Sequence, residues 1–106
     1  MTWESICPVE SLLPDRGACA RVGGVDVAVF RLSDGELLAV GNVDPYTGVG
    51  VMSRGIVGSR GDVDVVFSPL HKQAFCLRTG QSLDDEDVSL PVYPVRLVDG
   101  VVQIAA

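Results

Sequence analysis

Short apolar segments joined by hairpin dipeptides most constrain what this chain can fold into. Gly23-Gly24 and Asp99-Gly100 each separate two runs of strand-forming residues, and such pairs accept the positive backbone angles of a two-residue hairpin. The predicted strands around them are residues 18–22, 25–32, 90–98 and 101–104. Because the chain offers at most one helical turn, at residues 9–13, these signals predict an all-β fold.

The strand predicted over residues 36–42 indicates how the sheets are stacked. Its apolar side chains point to both faces, with Leu37 and Ala39 on one and Leu38 and Val40 on the other. Such a strand is covered on both sides, which predicts small antiparallel sheets packed face to face or a partly open barrel. Further strands are predicted over 3–7, 63–67 and 73–77. The glycine-rich residues 47–62 argue against one regular element across that run.

Length and charge narrow the class of protein. A chain of 106 residues predicts a single domain, 1–106. The net charge of −6 disfavours nucleic acid and anionic membrane surfaces as partners. No window approaches the roughly 20 apolar residues of a membrane span, and the start shows no leader pattern, so a cytoplasmic protein is expected. The three cysteines form no C-x-x-C pair and are predicted to be free thiols.

Two proline-containing turns hold the candidate site. Ser68-Pro69-Leu70-His71 connects two predicted strands, and Asp44-Pro45-Tyr46 follows another; His71 is the only histidine. Proline fixes one backbone angle and removes a donor, so each turn displays its polar side chains at a loop tip. A nucleophilic triad of His71, Ser68 and Asp44 has neither the order nor the spacing of known triads. A mononuclear iron site needs a second histidine.

The second half resembles the closing half of Rieske ferredoxin-like domains. The segments that carry this resemblance are Phe75–Gly80, Leu90–Arg96 and Asp99–Val101. Within that group the chain is similar to the small subunits of assimilatory NADH-dependent nitrite reductases, on four elements together: Trp3, Asn42–Pro45, Ser53–Gly55 and Ser68–Phe75. The resemblance covers most of the chain and implies a Rieske-like fold.

The chain departs from the Rieske pattern at the ligands. A Rieske cluster takes C-x-H from one loop and C-P-x-H from the other. Asp44 and Ser68 stand at the two cysteine positions, Tyr46 stands at the first histidine, and only His71 matches. The resemblance therefore implies a vestigial cluster site, with no metal, cofactor or catalytic residue in this chain. In place of the cluster, Asp44 is expected to accept a hydrogen bond from Ser68 or His71 and so hold the tips together.

The resemblance also implies a function and a partner. It implies an accessory subunit beside a large subunit that carries FAD, siroheme and a [4Fe-4S] cluster and reduces nitrite to ammonium with NAD(P)H in nitrate assimilation. From its composition, the run 47–62 is either folded onto the sheet with solvated arginines or forms a docking loop, with Met52, Arg54 and Arg60 as interface residues.

Two other functions remain open. One is a stand-alone Rieske-type ferredoxin that carries electrons, which the missing thiolates disfavour. The other is a β binding or regulatory module without redox chemistry. The acidic run Asp84–Asp87 is expected to be a solvated loop, with metal or partner binding as the alternative.

Overall fold

The computed structural model describes residues 2–106, which form ten strands and two single turns of 3₁₀ helix. The strands are β1 (Trp3–Pro8), β2 (Arg16–Val22), β3 (Val25–Arg31), β4 (Leu37–Gly41), β5 (Ile56–Arg60), β6 (Val63–Phe67), β7 (Ala74–Cys76), β8 (Val92–Tyr93), β9 (Val95–Val98) and β10 (Val101–Ala105). The 3₁₀ turns are Val9–Ser11 and Met52–Arg54. Within the described range, no helix has the length and apolar character to cross a membrane.

The strands form three antiparallel sheets, in the orders β1-β10-β9, β2-β3-β4-β8 and β5-β6-β7. The four-stranded sheet lies in the middle, with an apolar core on each face. Core A faces β5-β6-β7 and contains Ala28, Phe30, Leu32, Val40, Met52, Val66, Phe75, Leu77 and Leu90. Core B faces β1-β10-β9 and contains Leu12, Ala20, Val22, Val27, Val29, Ala39, Val102 and Ile104.

Strand β4 has the two-sided burial that its sequence predicts. Leu38 packs against core A beside Val40, whereas Leu37 packs against core B beside Ala39. Since neighbouring side chains on a strand point to opposite faces, this alternation places β4 between the two cores. The all-β class and the stacked sheets are thus confirmed, and the sheets do not close into a barrel.

Both predicted hairpins are present. Gly23 and Gly24 have φ angles of 57° and 81°, and Asp99 and Gly100 have 51° and 78°. Positive φ at both central residues is the geometry of the type I′ turn, whose twist matches that of the strands it joins. The dipeptides therefore set the register, with Val22 opposite Val25 and Val98 opposite Val101.

Residues 47–62 and 90–98 each contain detail that the sequence does not predict. As expected, no single element covers residues 47–62. The run nevertheless contains a 3₁₀ turn and the whole of β5, a strand that so many glycines do not predict. A Cβ at Gly58 within β5 would lie 3.0 Å from the ring of Phe67, so this glycine permits close packing rather than a turn. The strand predicted over 90–98 is divided at Pro94 into β8 and β9, which belong to different sheets.

Candidate functional site

Asp44 joins the two loop tips. Tip 1 is residues 42–50 after β4, and tip 2 is residues 68–73 between β6 and β7. The Asp44 side chain is 0% exposed. Its Oδ2 accepts a hydrogen bond from the Ser68 hydroxyl at 2.5 Å, and its Oδ1 accepts one from the backbone N–H of Tyr46 at 2.8 Å. The predicted bond between Asp44 and Ser68 is therefore present, and both carboxylate oxygens have a donor.

Each tip is also closed by its own backbone. In tip 1, the Asp44 N–H donates to the Val49 carbonyl at 2.8 Å, and the Gly48 N–H donates to the Asp44 carbonyl at 2.7 Å. In tip 2, the Ser68 N–H donates to the Gln73 carbonyl and the Lys72 N–H donates to the Ser68 carbonyl, both at 2.9 Å. The tips are therefore compact turns, which bring the Asp44 and Ser68 side chains together at a fixed distance.

Tyr46 connects tip 1 to a third segment instead of to tip 2. Its hydroxyl forms a hydrogen bond with the Ser82 hydroxyl at 2.9 Å, and its ring centroid lies 5.9 Å from that of Phe75. The Ser82 oxygen also accepts from the N–H groups of Asp84 and Asp85, at 3.1 Å each. Ser82 belongs to the site but is absent from the predicted set. A serine two residues before an acidic run is a known signal for such a turn.

The acidic run is partly bound into the fold. Asp84 accepts hydrogen bonds from the Ala74 N–H at 2.8 Å and from the Arg60 guanidinium at 3.0 Å. The backbone bond from Ala74 and then the bond from Arg60 hold the pKa of Asp84 below its ordinary value. All four acids of the run are exposed, as expected for a solvated loop, and Asp84 in addition fastens the loop to β7 and β5.

The remaining predicted site residues have different positions. His71 is exposed on tip 2, and the partner of Asp44 there is the Ser68 hydroxyl. Met52 is 0% exposed within core A, so its side chain presents no surface to a partner. Arg60 forms a salt bridge with Asp84. Arg54 is exposed and forms no salt bridge within residues 2–106. Of the three predicted interface residues, Arg54 alone is both exposed and unpaired.

The donor atoms at the tips do not fit a [2Fe-2S] cluster. The four ligand positions, Asp44, Tyr46, Ser68 and His71, offer one carboxylate, two hydroxyl groups and one imidazole, whereas a Rieske centre takes two thiolates and two imidazoles. The free thiols Cys7, Cys19 and Cys76 belong to β1, β2 and β7 and to neither tip. Among the described residues, no three His, Cys, Asp or Glu side chains are grouped so that they could hold a metal ion.

Known proteins similar to this chain include small subunits of nitrite reductase. The Salmonella typhimurium protein named "Nitrite reductase (NADH) small subunit" is 40% identical over 103 residues, which cover 96% of this chain and 95% of that protein. The Klebsiella oxytoca protein named "Nitrite reductase [NAD(P)H] large subunit" is 33% identical over 102 residues, which cover 96% of this chain but 11% of that longer protein.

A solved structure and a family description agree with these relatives. The crystal structure of a protein named as an NADH-dependent nitrite reductase small subunit from Mycobacterium tuberculosis superposes with a TM-score of 0.97 at 50% identity, over 99% of this chain and 95% of that one. Residues 2–105 match the family described as the Rieske-like [2Fe-2S] domain. The chain therefore belongs to the family of Rieske-like [2Fe-2S] domains.

Proposed function

We propose that this chain, acting as one domain over residues 1–106, is the small accessory subunit of an NAD(P)H-dependent nitrite reductase. The observation that carries the proposal is the end-to-end match with the Salmonella typhimurium small subunit, at 40% identity and 95% coverage of that protein. A match confined to one part of a larger protein would support only a shared fold. A match over nearly all of both chains supports a shared role as well.

The partner is the large subunit of the same enzyme. The Klebsiella oxytoca relative supports this choice, because a segment similar to this chain makes up 11% of a polypeptide named as the large subunit. Two domains joined in one polypeptide meet at a high effective concentration. The same two domains on separate polypeptides must associate through complementary surfaces. The proposal therefore requires a docking surface on the small chain.

The chain works without a cluster of its own. The carboxylate and hydroxyl donors at the tips support this part of the proposal, since they cannot replace the thiolates of a Rieske centre. The hydrogen bond between Asp44 and Ser68 links the two tips, as the metal cluster does in a Rieske centre. FAD, siroheme and the [4Fe-4S] cluster then belong to the large subunit, and nitrite is reduced there.

The small subunit contributes through protein contacts and not as a catalyst. At the tips, the side chains of Asp44, Ser68 and Tyr46 are engaged in internal hydrogen bonds. No nucleophile therefore lies beside a free general base. Its free thiols suit the reducing conditions of the cytoplasm, where we place the complex. A Rieske-type ferredoxin would need the missing thiolate ligands, and a β module unrelated to nitrite would show no affinity for the reductase.

Co-purification tests this function. The tagged chain is co-expressed with the large nitrite reductase subunit of the same organism, and the complex is recovered on the tag. We expect both chains in equal amounts, with flavin and siroheme absorption in the eluate and nitrite-dependent oxidation of NAD(P)H. An otherwise identical preparation without the tagged chain is the control for nonspecific retention. Recovery of the small chain alone at every salt concentration would contradict the proposal.

A further inference from the structure

The surface around the start of β2 carries free cationic side chains in an otherwise acidic chain. Five of the eight basic residues have partners within the described chain, in salt bridges or in hydrogen bonds: Arg21, Arg31, Arg60, Arg78 and Arg96. Lys72 belongs to tip 2. The other two, Arg16 and Arg54, line one cleft of about 430 Å³.

Exposed apolar side chains flank this arginine pair. Ile56 and Leu13 are 69% and 57% exposed, the highest values among the large hydrophobic residues that the structure describes. Ile56 lines the same cleft, and Leu13 lines an adjoining cleft of about 250 Å³ that shares Arg16 with the first. Leu13, Arg16, Arg54 and Ile56 together are the Arg16–Arg54 surface. Cationic and apolar side chains next to one another are typical of a protein interface.

The cleft is held in shape by a close backbone approach. It lies between β2 and β5, each an edge strand of its own sheet. A Cβ at Gly17 would lie 2.4 Å from the Ser53 carbonyl oxygen, so β2 and the turn before β5 touch at its base. Asp15 also lines the cleft, but its carboxylate accepts hydrogen bonds from the N–H and the hydroxyl of Ser33. The cleft is therefore preformed, and it carries two cations against one carboxylate, whose position is fixed by Ser33.

We infer that the Arg16–Arg54 surface docks an acidic segment of the large subunit that also carries apolar side chains. The inference rests on the proposed function and adds the face and the chemistry of the contact. With a net charge of −6, most of this chain repels an acidic partner. An acidic segment is attracted only where unpaired cations are grouped, and the exposed Leu13 and Ile56 provide apolar area to bury beside them.

Charge reversal in matched pairs tests the inference. Binding of the isolated large subunit to the small chain is measured for wild type, for Arg16→Glu/Arg54→Glu and for Arg21→Glu/Lys72→Glu. Both double variants change the net charge equally, and the second pair includes the free lysine of tip 2. We expect at least about a 10-fold rise in Kd for the first variant and less than about a 3-fold rise for the second. Circular dichroism and thermal melting check that all three proteins are folded.

Each outcome is decisive. Equal weakening by both variants would show that only net charge matters, and weakening by the second alone would move the interface to tip 2; either result overturns the inference, as does unchanged binding of the first variant. A folded wild-type chain that fails to bind would instead refute the proposed function, and the inference with it. Leu13→Ser/Ile56→Ser is the apolar counterpart, expected to weaken binding without reducing its salt dependence.

Discussion

Replacing Asp44 with alanine is expected to lower the free energy of unfolding by about 3 kcal/mol. Asp44 is buried, and its carboxylate accepts hydrogen bonds from the Ser68 hydroxyl and the Tyr46 N–H. A hydrogen bond to a charged group contributes roughly 1.5–3 kcal/mol, and the substitution leaves two donors without an acceptor. For a domain of this size, the melting temperature should fall by about 12–20 °C. Urea unfolding followed by circular dichroism measures the change.

A matched control separates this role from the general cost of removing an aspartate. Asp34 also accepts a hydrogen bond from the N–H two residues on, Glu36, at 2.9 Å, but Asp34 is exposed. Asp34→Ala should therefore cost about 0.5 kcal/mol. Ser68→Ala should cost less than Asp44→Ala and add little to it in the double variant, because both changes remove the same bond. Equal melting temperatures for wild type and Asp44→Ala would show that the bond does not hold the tips together.

Gly80→Ala is expected to lower the free energy of unfolding by about 3–4 kcal/mol. Gly80 has a φ of +78°, and a Cβ there would lie 2.0 Å from the Leu90 carbonyl oxygen. The Leu90 N–H donates to the Gly80 carbonyl at 2.7 Å, so this contact closes the loop of residues 81–89. That loop supplies Ser82 to Tyr46. The substitution should therefore also shift the amide NMR signal of Tyr46 in tip 1.

Gly100 provides the control for the backbone angle. Its φ is also +78°, but nothing lies within 4 Å of a Cβ built there. Gly100→Ala should cost only about 1–2 kcal/mol, the penalty for an L-residue in the left-handed region. The difference between the two variants is then the cost of the clash with Leu90. If both variants lost the same stability, the close approach of Gly80 and Leu90 would have no energetic consequence.

The local features of the fold follow from local sequence signals. Gly23-Gly24 and Asp99-Gly100 predict their hairpins because few residues accept two successive positive φ angles. The two-sided apolar pattern of β4 predicts its place between two cores. Strand β5 is not predicted because Gly58 interrupts its apolar pattern; this glycine lies opposite Val65 in the hairpin of β5 and β6, and a Cβ there would lie 3.0 Å from the ring of Phe67. The reason for the glycine is its packing against the adjacent strand, which the residues of β5 alone do not show.

The site likewise contains one contact that the sequence predicts and one that it does not. The bond between Asp44 and Ser68 is predictable once the two tips are aligned with the Rieske loops, since a carboxylate and a hydroxyl then face each other. The bond between Tyr46 and Ser82 joins residues 36 positions apart and depends on how the acidic loop folds back. Met52 is predicted to lie at an interface but is buried in core A. The sequence cannot decide between the two, because an apolar residue beside exposed arginines is compatible with either.

We propose that hydrogen bonds hold the tips of this Rieske-like domain where a Rieske centre has its cluster, and iron analysis tests this proposal most directly. The chain is purified alone under anaerobic conditions, and its iron content and visible absorption are measured together with its circular dichroism. We expect a folded, colourless protein without iron. Stoichiometric iron with the visible bands of a Rieske centre would contradict it, and would make an electron-carrying ferredoxin the better description.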